Sequence, residues 1–457
     1  MTTQETVGAP AAPTRPDNRL ALIDQAFYDG HRAAGQNEVM QVVWLYDHPA
    51  DLDGVRRFHQ RMCRSLWNRL IERSPLPFGR HRWMLDPRPA PFDVVETPRP
   101  RAELGDWLDE RAYLPVDPER GPGWHLGVLP LTDGSTVVTC VISHYLLDGL
   151  GSVAEVAKAN LGMPLDYGYP PPGSRPRLRA IAEDLSDTAR ALPGVAGAVL
   201  AAAREARRRQ TDNTRPAPGP IHDDHDPPVR IPCVWLLLDL AEWEARAAAL
   251  GGAGNTLATG FAARLADRLG RRDDDGTIRI QFIVSNRDVD DTRAIAVSYT
   301  RTNIDPAPVT TDLSGTRAVV REALRSPQGA MEESAPLLPL TPLTPRRTWR
   351  RLMDWSAADP ERPTILSNFG EVPSSAVSPD GTESQQAWAR GVNQRISAQR
   401  LERAGGLLQI LTGRLPGIGK MTVSVQAYQP GVATDRAALR GLVVDTLAEF
   451  GLTAVVD

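Results

Sequence analysis

The stretch VISHYLLDGLGSV, residues 141 to 153, sets His144 four residues before Asp148, between an apolar run and a glycine-rich turn. A histidine where a strand opens onto a loop is a general base delivered to a cleft, because α/β folds place reacting groups at strand ends. An imidazole of ordinary pKa, about 6.5, suits proton transfer at neutral pH. Asp148 is placed to fix the loop, either by accepting backbone hydrogen bonds or by pairing with an arginine. Gly149 and Gly151 let the backbone turn tightly and approach a ligand closely. The plainer alternative for the same residues is a capped loop leading into a helix.

The remaining candidates are weaker. All eight histidines lie at or before residue 225: His31, His48, His59, His81, His125, His144, His222 and His225. Histidine chemistry therefore comes from the first half of the chain. HDDHD at 222–226 has ligand types that a metal could use, but it sits in a proline-rich polar stretch without a closed ligand set. It reads as solvated linker, and no metal is expected. GRHRW at 79–83 reads as a surface turn with Trp83 packed inward. AREARRRQ at 203–210 reads as a helix ending in a solvated basic turn. An acidic partner or a membrane surface could use its Arg204, Arg207, Arg208 and Arg209. The chain has no Walker loop, no GxGxxG and no GxSxG.

The chain carrying these residues is 457 residues long and 41% hydrophobic, enough for two or three domains with a large core. A net charge of -4 gives no reason to expect a nucleic-acid partner. Only Lys158 and Lys420 among the 52 basic residues are lysines, a bias that reads as GC-rich coding. Cys63, Cys140 and Cys233 are far apart and odd in number, which suits a reducing compartment better than a disulfide framework. Residues 1–17 lack an apolar signal core and read as a disordered tail. No run of about 18 apolar residues occurs. The expected location is the cytoplasm.

Periodicity supplies the elements. Residues 51–74 predict a helix, with Leu52, Val55, Phe58, Met62, Leu66 and Leu70 on one stripe. EVMQVVWLY, GWHLGVLP and STVVTCVIS read as strands, the last apolar on both parities and so covered on both faces. SVAEVAKANLG reads as a helix opened by Gly151 and Ser152. Proline and charge dominate 211–232, a linker or crossover. Beyond it, CVWLLLDL reads as a strand, NTLATGFAARLADRLG as a helix capped at Asn255, and IRIQFIVSN as a strand. QAWARGV, GLLQILTGR and KMTVSVQAY add strands. A closing helix puts Leu439, Leu442, Val443, Leu447 and Phe450 on one face. The expectation is an α/β protein of two similar lobes, residues 18–210 and 233–457, joined by the link at 211–232.

HYLLDG resembles the HxxxDG signature of an acyltransferase superfamily. That superfamily includes chloramphenicol acetyltransferase and the condensation domains of nonribosomal peptide synthetases. It also includes the wax ester synthase/diacylglycerol acyltransferases and the phthiocerol dimycocerosyl transferases, the two groups nearest in texture. GNTLATGFAARLADRLG resembles the helix opening the second lobe, and IRIQFIVSNRDVDD the strand that ends in an arginine. PTILSNFGEVP resembles the segment at the lobe junction. The likeness spans roughly residues 18 to 450. Two departures argue against an ordinary peptide-synthetase condensation domain. Ser143 stands where many members carry a first histidine, and the NFG of Asn368–Gly370 lacks the acid and tryptophan of DFGWG.

The resemblance implies two lobes in a V with a tunnel at their junction. It implies an acyl thioester donor, on coenzyme A or on a carrier protein, and a small-molecule alcohol or amine acceptor. His144 would take the acceptor's proton, and the Gly149 N–H would face the oxyanion. Asp148 would turn from the chemistry and pair with Arg287. Ser143, Ser367, Asn368 and Gly370 fall at the tunnel or junction. No cofactor, metal or acyl-enzyme is expected. Ester formation from acyl-coenzyme A is the preferred reading. The alternatives are a stand-alone condensation enzyme fed by a carrier protein, and a non-catalytic condensation-like binding module. Peripheral membrane contact is left open.

Overall fold

A computed structural model describes residues 17–211, 221, 226–325, 335–359, 361–432 and 435–456. The tail and the HDDHD stretch, apart from Asp17 and Asp226, lie outside the described residues, as do the side chains of Arg208 and Arg209. The first half supplies strands β1 (Glu38–Tyr46), β2 (Arg69–Glu72), β3 (Arg82–Leu85), β4 (Phe92–Val94), β5 (Trp124–Pro130) and β6 (Thr136–Ser143). The second supplies β7 (Cys233–Asp239), β8 (Ile278–Ser285), β9 (Val297–Ile304), β10 (Thr364–Glu371), β11 (Gln386–Asn393), β12 (Leu407–Leu415), β13 (Lys420–Tyr428) and β14 (Val455–Val456).

One sheet has the order β11-β1-β6-β5-β4 and the other β14-β7-β13-β12-β10-β8-β9. Every residue of β6 is buried, as its run of apolar residues on both parities requires. Strand β11 comes from the second half but pairs antiparallel with β1, from Glu38 opposite Asn393 to Leu45 opposite Gln386. The division at 211–232 therefore does not separate the two sheets. QAWARGV reads as a strand from its own residues, but nothing local specifies that its partner is more than 340 positions away in sequence rather than its neighbour. Pairing there closes what would otherwise be an open β1 edge.

The second sheet and its helices, Leu240–Ala249, Gly254–Arg268 and Arg436–Glu449, enclose one apolar core with Phe261, Ile280, Val425 and Val443. The first sheet packs Trp44, Phe58, Trp124 and Ile142 on one face. On its other face the helix Leu104–Ala112 covers Val43, Leu129 and Val137. Trp235 and Trp388 stack at 4.6 Å, 10° from parallel, where β7 and β11 meet.

Four local expectations are corrected. The helix of residues 51–74 ends at Met62. Ser65 Oγ accepts the Trp67 N–H, and the Leu66 N–H donates to the Glu155 carboxylate at 3.0 Å, which turns the chain out of the helix. Leu66 and Leu70 are buried as the stripe requires, but on a 3-10 turn and on β2. The helix before Asn160 begins at Gly149 and is capped by Asp148, two residues earlier than read. Asn255 is inside the first turn of Gly254–Arg268 and does not cap it. GRHRW is no surface turn, since Gly79 and His81 are buried along with Trp83. Among the described residues no helix is long and apolar enough to cross a membrane.

Candidate active site

From Ser135 to Asp148 every residue is buried except His144. The backbone explains this exception. The His144 N–H donates to the Glu38 carbonyl at 2.9 Å, the last rung between β6 and β1, and the Leu146 N–H closes a turn onto the Ser143 carbonyl at 3.0 Å. Tyr145, Leu146 and Leu147 are anchored in the core on the far side of that turn. With its neighbours fixed, the imidazole is left facing a cavity of about 460 Å³. The cavity lies between the lobes, walled by Phe27, Met40 and Val153 from the first half and by Ile283, Phe369 and Leu411 from the second. The Phe27 ring stands edge-on to His144 with centroids 5.7 Å apart. His144 Nδ1 is buried and, among the described residues, takes no hydrogen-bond partner.

Asp148 does two jobs at once. Its Oδ1 accepts the Gly151 N–H at 2.8 Å, capping the helix Gly149–Asn160. The same carboxylate forms a bidentate pair with Arg287, Nε to Oδ1 at 3.1 Å and Nη2 to Oδ2 at 2.6 Å, with side chains 4% and 8% exposed. Arg287 also donates to the carbonyls of Asp291, Arg293 and Ala294, and the Ala296 N–H returns to Asp148 Oδ2 at 2.9 Å. The pair thus fixes residues 287–296 of the second half onto the loop that presents His144. Arg287 is not among the cavity's lining residues.

Gly149 lines the cavity, and a Cβ there would stand 2.5 Å from Cε1 of Phe369. The close approach of that ring is why the position takes glycine. Ser367 and Asn368 line the cavity as well. Asn368 Nδ2 donates to Asn255 Oδ1 at 2.6 Å, and its own Oδ1 accepts the Gly370 N–H at 2.7 Å. Gly370 itself, at φ 67°, turns the strand and is not in the lining. Ser143 is not in the lining either. It sits opposite Val39 in the β1–β6 register, shares its parity with Val141, and is fully buried with its Oγ unpartnered. Strand alternation puts it on the face away from His144.

Three residues of this region had no signal in the sequence. Glu38 and His31 both line the cavity. Burial pushes the His31 imidazole down to about 4, and its Nδ1 lies 2.8 Å from the Phe27 carbonyl. Burial pushes the Glu38 carboxyl up, opposed by the charge of His144 and by a hydrogen bond from Asn393. Asp24 is a second clamp on the same inter-lobe segment, accepting the N–H groups of Ala294 at 2.9 Å and Ile295 at 2.8 Å.

Burial raises the Asp24 carboxyl to about 6, against the lowering effect of those two bonds and of Arg69 and Arg293. A carboxyl raised on folding adds stability that is complete below its unfolded pKa and is lost as pH rises through the folded value. For Asp24 the loss amounts to roughly 3 kcal/mol between pH about 4 and about 6. Asp24→Asn should abolish that slope. Denaturant unfolding of both proteins across this range checks it, and a difference between them that does not change with pH would remove Asp24 from the titrating role.

A two-lobed α/β protein with a strand exchanged between its lobes and a histidine at a strand end facing the junction has the fold of condensation domains and of wax ester synthase/diacylglycerol acyltransferases. Neither a protein-family model nor a curated protein sequence matches the chain. Among solved structures, the first condensation domain of the calcium-dependent antibiotic synthetase, in complex with a substrate analogue, matches with a TM-score of 0.56 and 13% identity over 96% of this chain and 100% of that one. The wax ester synthase/diacylglycerol acyltransferase from Marinobacter aquaeolei VT8 matches at 0.52 and 16% identity, over 94% of this chain and 98% of that one. The nonribosomal peptide synthetase FmoA3 matches at 0.54 and 17% identity over 97% of this chain. This chain spans 44% of that synthetase's length.

Proposed function

We propose that the protein is an acyltransferase that moves an acyl group from acyl-coenzyme A to a hydroxyl acceptor, with His144 as general base. The observation that carries the reading is the placing of His144, the one unburied residue between Ser135 and Asp148, in a cavity between the lobes. In this reading the acceptor oxygen attacks the thioester carbonyl as its proton passes to the imidazole. The tetrahedral oxyanion meets the start of the helix Gly149–Asn160. Asp148 occupies the Gly151 N–H there, while the first N–H groups of a helix have no partner within it and carry its positive dipole end. Collapse breaks the C–S bond, and the thiolate leaves with the proton from the imidazolium. No acyl-enzyme forms. In this reading a tunnel through the junction, with the mostly apolar walls of this cavity, would hold donor and acceptor at once. The protein would work in the cytoplasm, with the exposed Arg204 and Arg207 beside Val199 and Leu200 as its contact to a membrane surface.

The donor is the part to test. Purified protein is mixed with acyl-coenzyme A and, separately, with the same acyl group on a carrier protein, each with a panel of alcohols and amines. Ester product from the coenzyme A donor supports the reading. Product from the carrier-bound donor alone would replace it with a stand-alone condensation enzyme, and amide product alone would overturn the choice of acceptor.

A further inference from the structure

We propose that Glu38 is the electrostatic partner of His144, a positioning residue whose carboxylate is the counter-charge against which the imidazolium forms. The inference rests on the acyl-transfer reading of the same cavity.

The two residues are tied together by the β1–β6 register. Glu38 opens β1, its carbonyl receives the His144 N–H, and both side chains face the cavity. Across the sheet Glu38 stands opposite Asn393, whose Nδ2 donates to Glu38 Oε1 at 2.8 Å. The carboxyl is therefore aimed and held by a neutral donor. Among the described residues no lysine or arginine forms an ion pair with it. A carboxyl set in a mostly apolar cavity and making no ion pair is costly unless something offsets it.

The other titratable groups around the pair leave the proton that His144 takes up during transfer as the charge that can offset it. From the helix Leu22–Ala33 come His31, which burial keeps neutral at pH 7, and Tyr28, raised by burial. Tyr145, on the turn, and Tyr299, on β9, are both raised by burial and then by neighbouring carboxylates, so they too are neutral. Asp148 is matched by Arg287, Arg400 by Asp354 and, in the cavity wall, Arg390 by Asp109; Arg230 lies over the Tyr113 ring, and Arg395 acts on Tyr145. Charge developing on the imidazole during proton transfer thus meets one uncommitted carboxyl, and that carboxyl is Glu38. A proton taken by His144 in a mostly apolar cavity creates an ion whose cost a nearby negative charge offsets.

The test reads the ring of His144 directly and needs no turnover. The histidine ring signals are followed by NMR against pH in the protein without substrate, and His144 is assigned by its absence from His144→Ala. In Glu38→Gln the midpoint of the His144 ring should fall by about one pH unit or more. In Glu38→Asp, which keeps the charge one methylene further back, the fall should be smaller. The Asp variant answers the question even if the Gln variant does not fold. In turnover, Glu38→Gln should lower kcat roughly tenfold with KM little changed. An unmoved ring midpoint in folded Glu38→Gln, or in Glu38→Asp where the Gln variant does not fold, overturns the proposal. So does a Glu38→Gln defect confined to the KM of cationic acceptors, which would make Glu38 a substrate-ammonium site. A shifted midpoint in a protein that consumes no thioester would keep the pair and defeat the acyl-transfer reading instead.

Discussion

Replacing His144 by alanine should reduce acyl transfer by roughly a hundred- to ten-thousand-fold while leaving thermal unfolding unchanged. The two halves of this expectation have separate causes. The rate falls because no other group in the cavity combines a free imidazole with this position. His31 also lines the cavity, but its Nδ1 is engaged with the Phe27 carbonyl and it belongs to a different element. Stability is kept because the His144 backbone, not its ring, makes the structural bond to Glu38, and the ring's Nδ1 is unpartnered. Turnover on the cognate pair measured beside a melting curve checks both. Near-normal turnover in the alanine variant would falsify the general-base assignment.

Removing either side of the Asp148–Arg287 pair should cost about 3–5 kcal/mol, because the partner is left charged and buried. At 4% and 8% exposure neither side chain can turn to bulk water for relief. Asp148→Ala should be the worse of the two. It also uncaps the helix Gly149–Asn160 and releases the Ala296 N–H, whereas Arg287→Ala frees carbonyls of its own loop. The double variant should cost clearly less than the sum, a coupling that identifies a shared interaction. Activity should drop in all three, since the loop carrying His144 is what the pair fixes. Denaturant unfolding of the four proteins measures the cycle. Strict additivity would mean that the two residues stabilise the fold independently.

The parts of this site that could be read from sequence are those that are local. His144, Asp148 and Gly149 lie within six residues, and the apolar run before them shows the strand that ends there. Arg287 is visible only through likeness to a known pattern, because 139 positions separate it from Asp148. Glu38 is invisible for a physical reason. At the head of an apolar strand a glutamate looks like any solvated strand end, and its meaning depends on the register that lays β1 beside β6 and β11. Strand β11 shows the same limit, since alternation reveals a strand but not its partner. The resemblance puts Ser143 at the tunnel, but it lies outside the lining, because one residue along a strand from His144 is the opposite face of the sheet. The overlong helix of residues 51–74 failed where side-chain bonds from Ser65 and Glu155 overrode a helical stripe.

The central claim is direct acyl transfer in the cavity at His144, and mass spectrometry of a single reaction tests it most directly. Protein, acyl thioester and acceptor are incubated together, then the acceptor, the released thiol and the protein are weighed. The acceptor should gain one acyl group for each thiol released, and the protein mass should stay unchanged. A protein that gains the acyl group, or a folded protein that leaves every thioester and acceptor untouched, would contradict the claim.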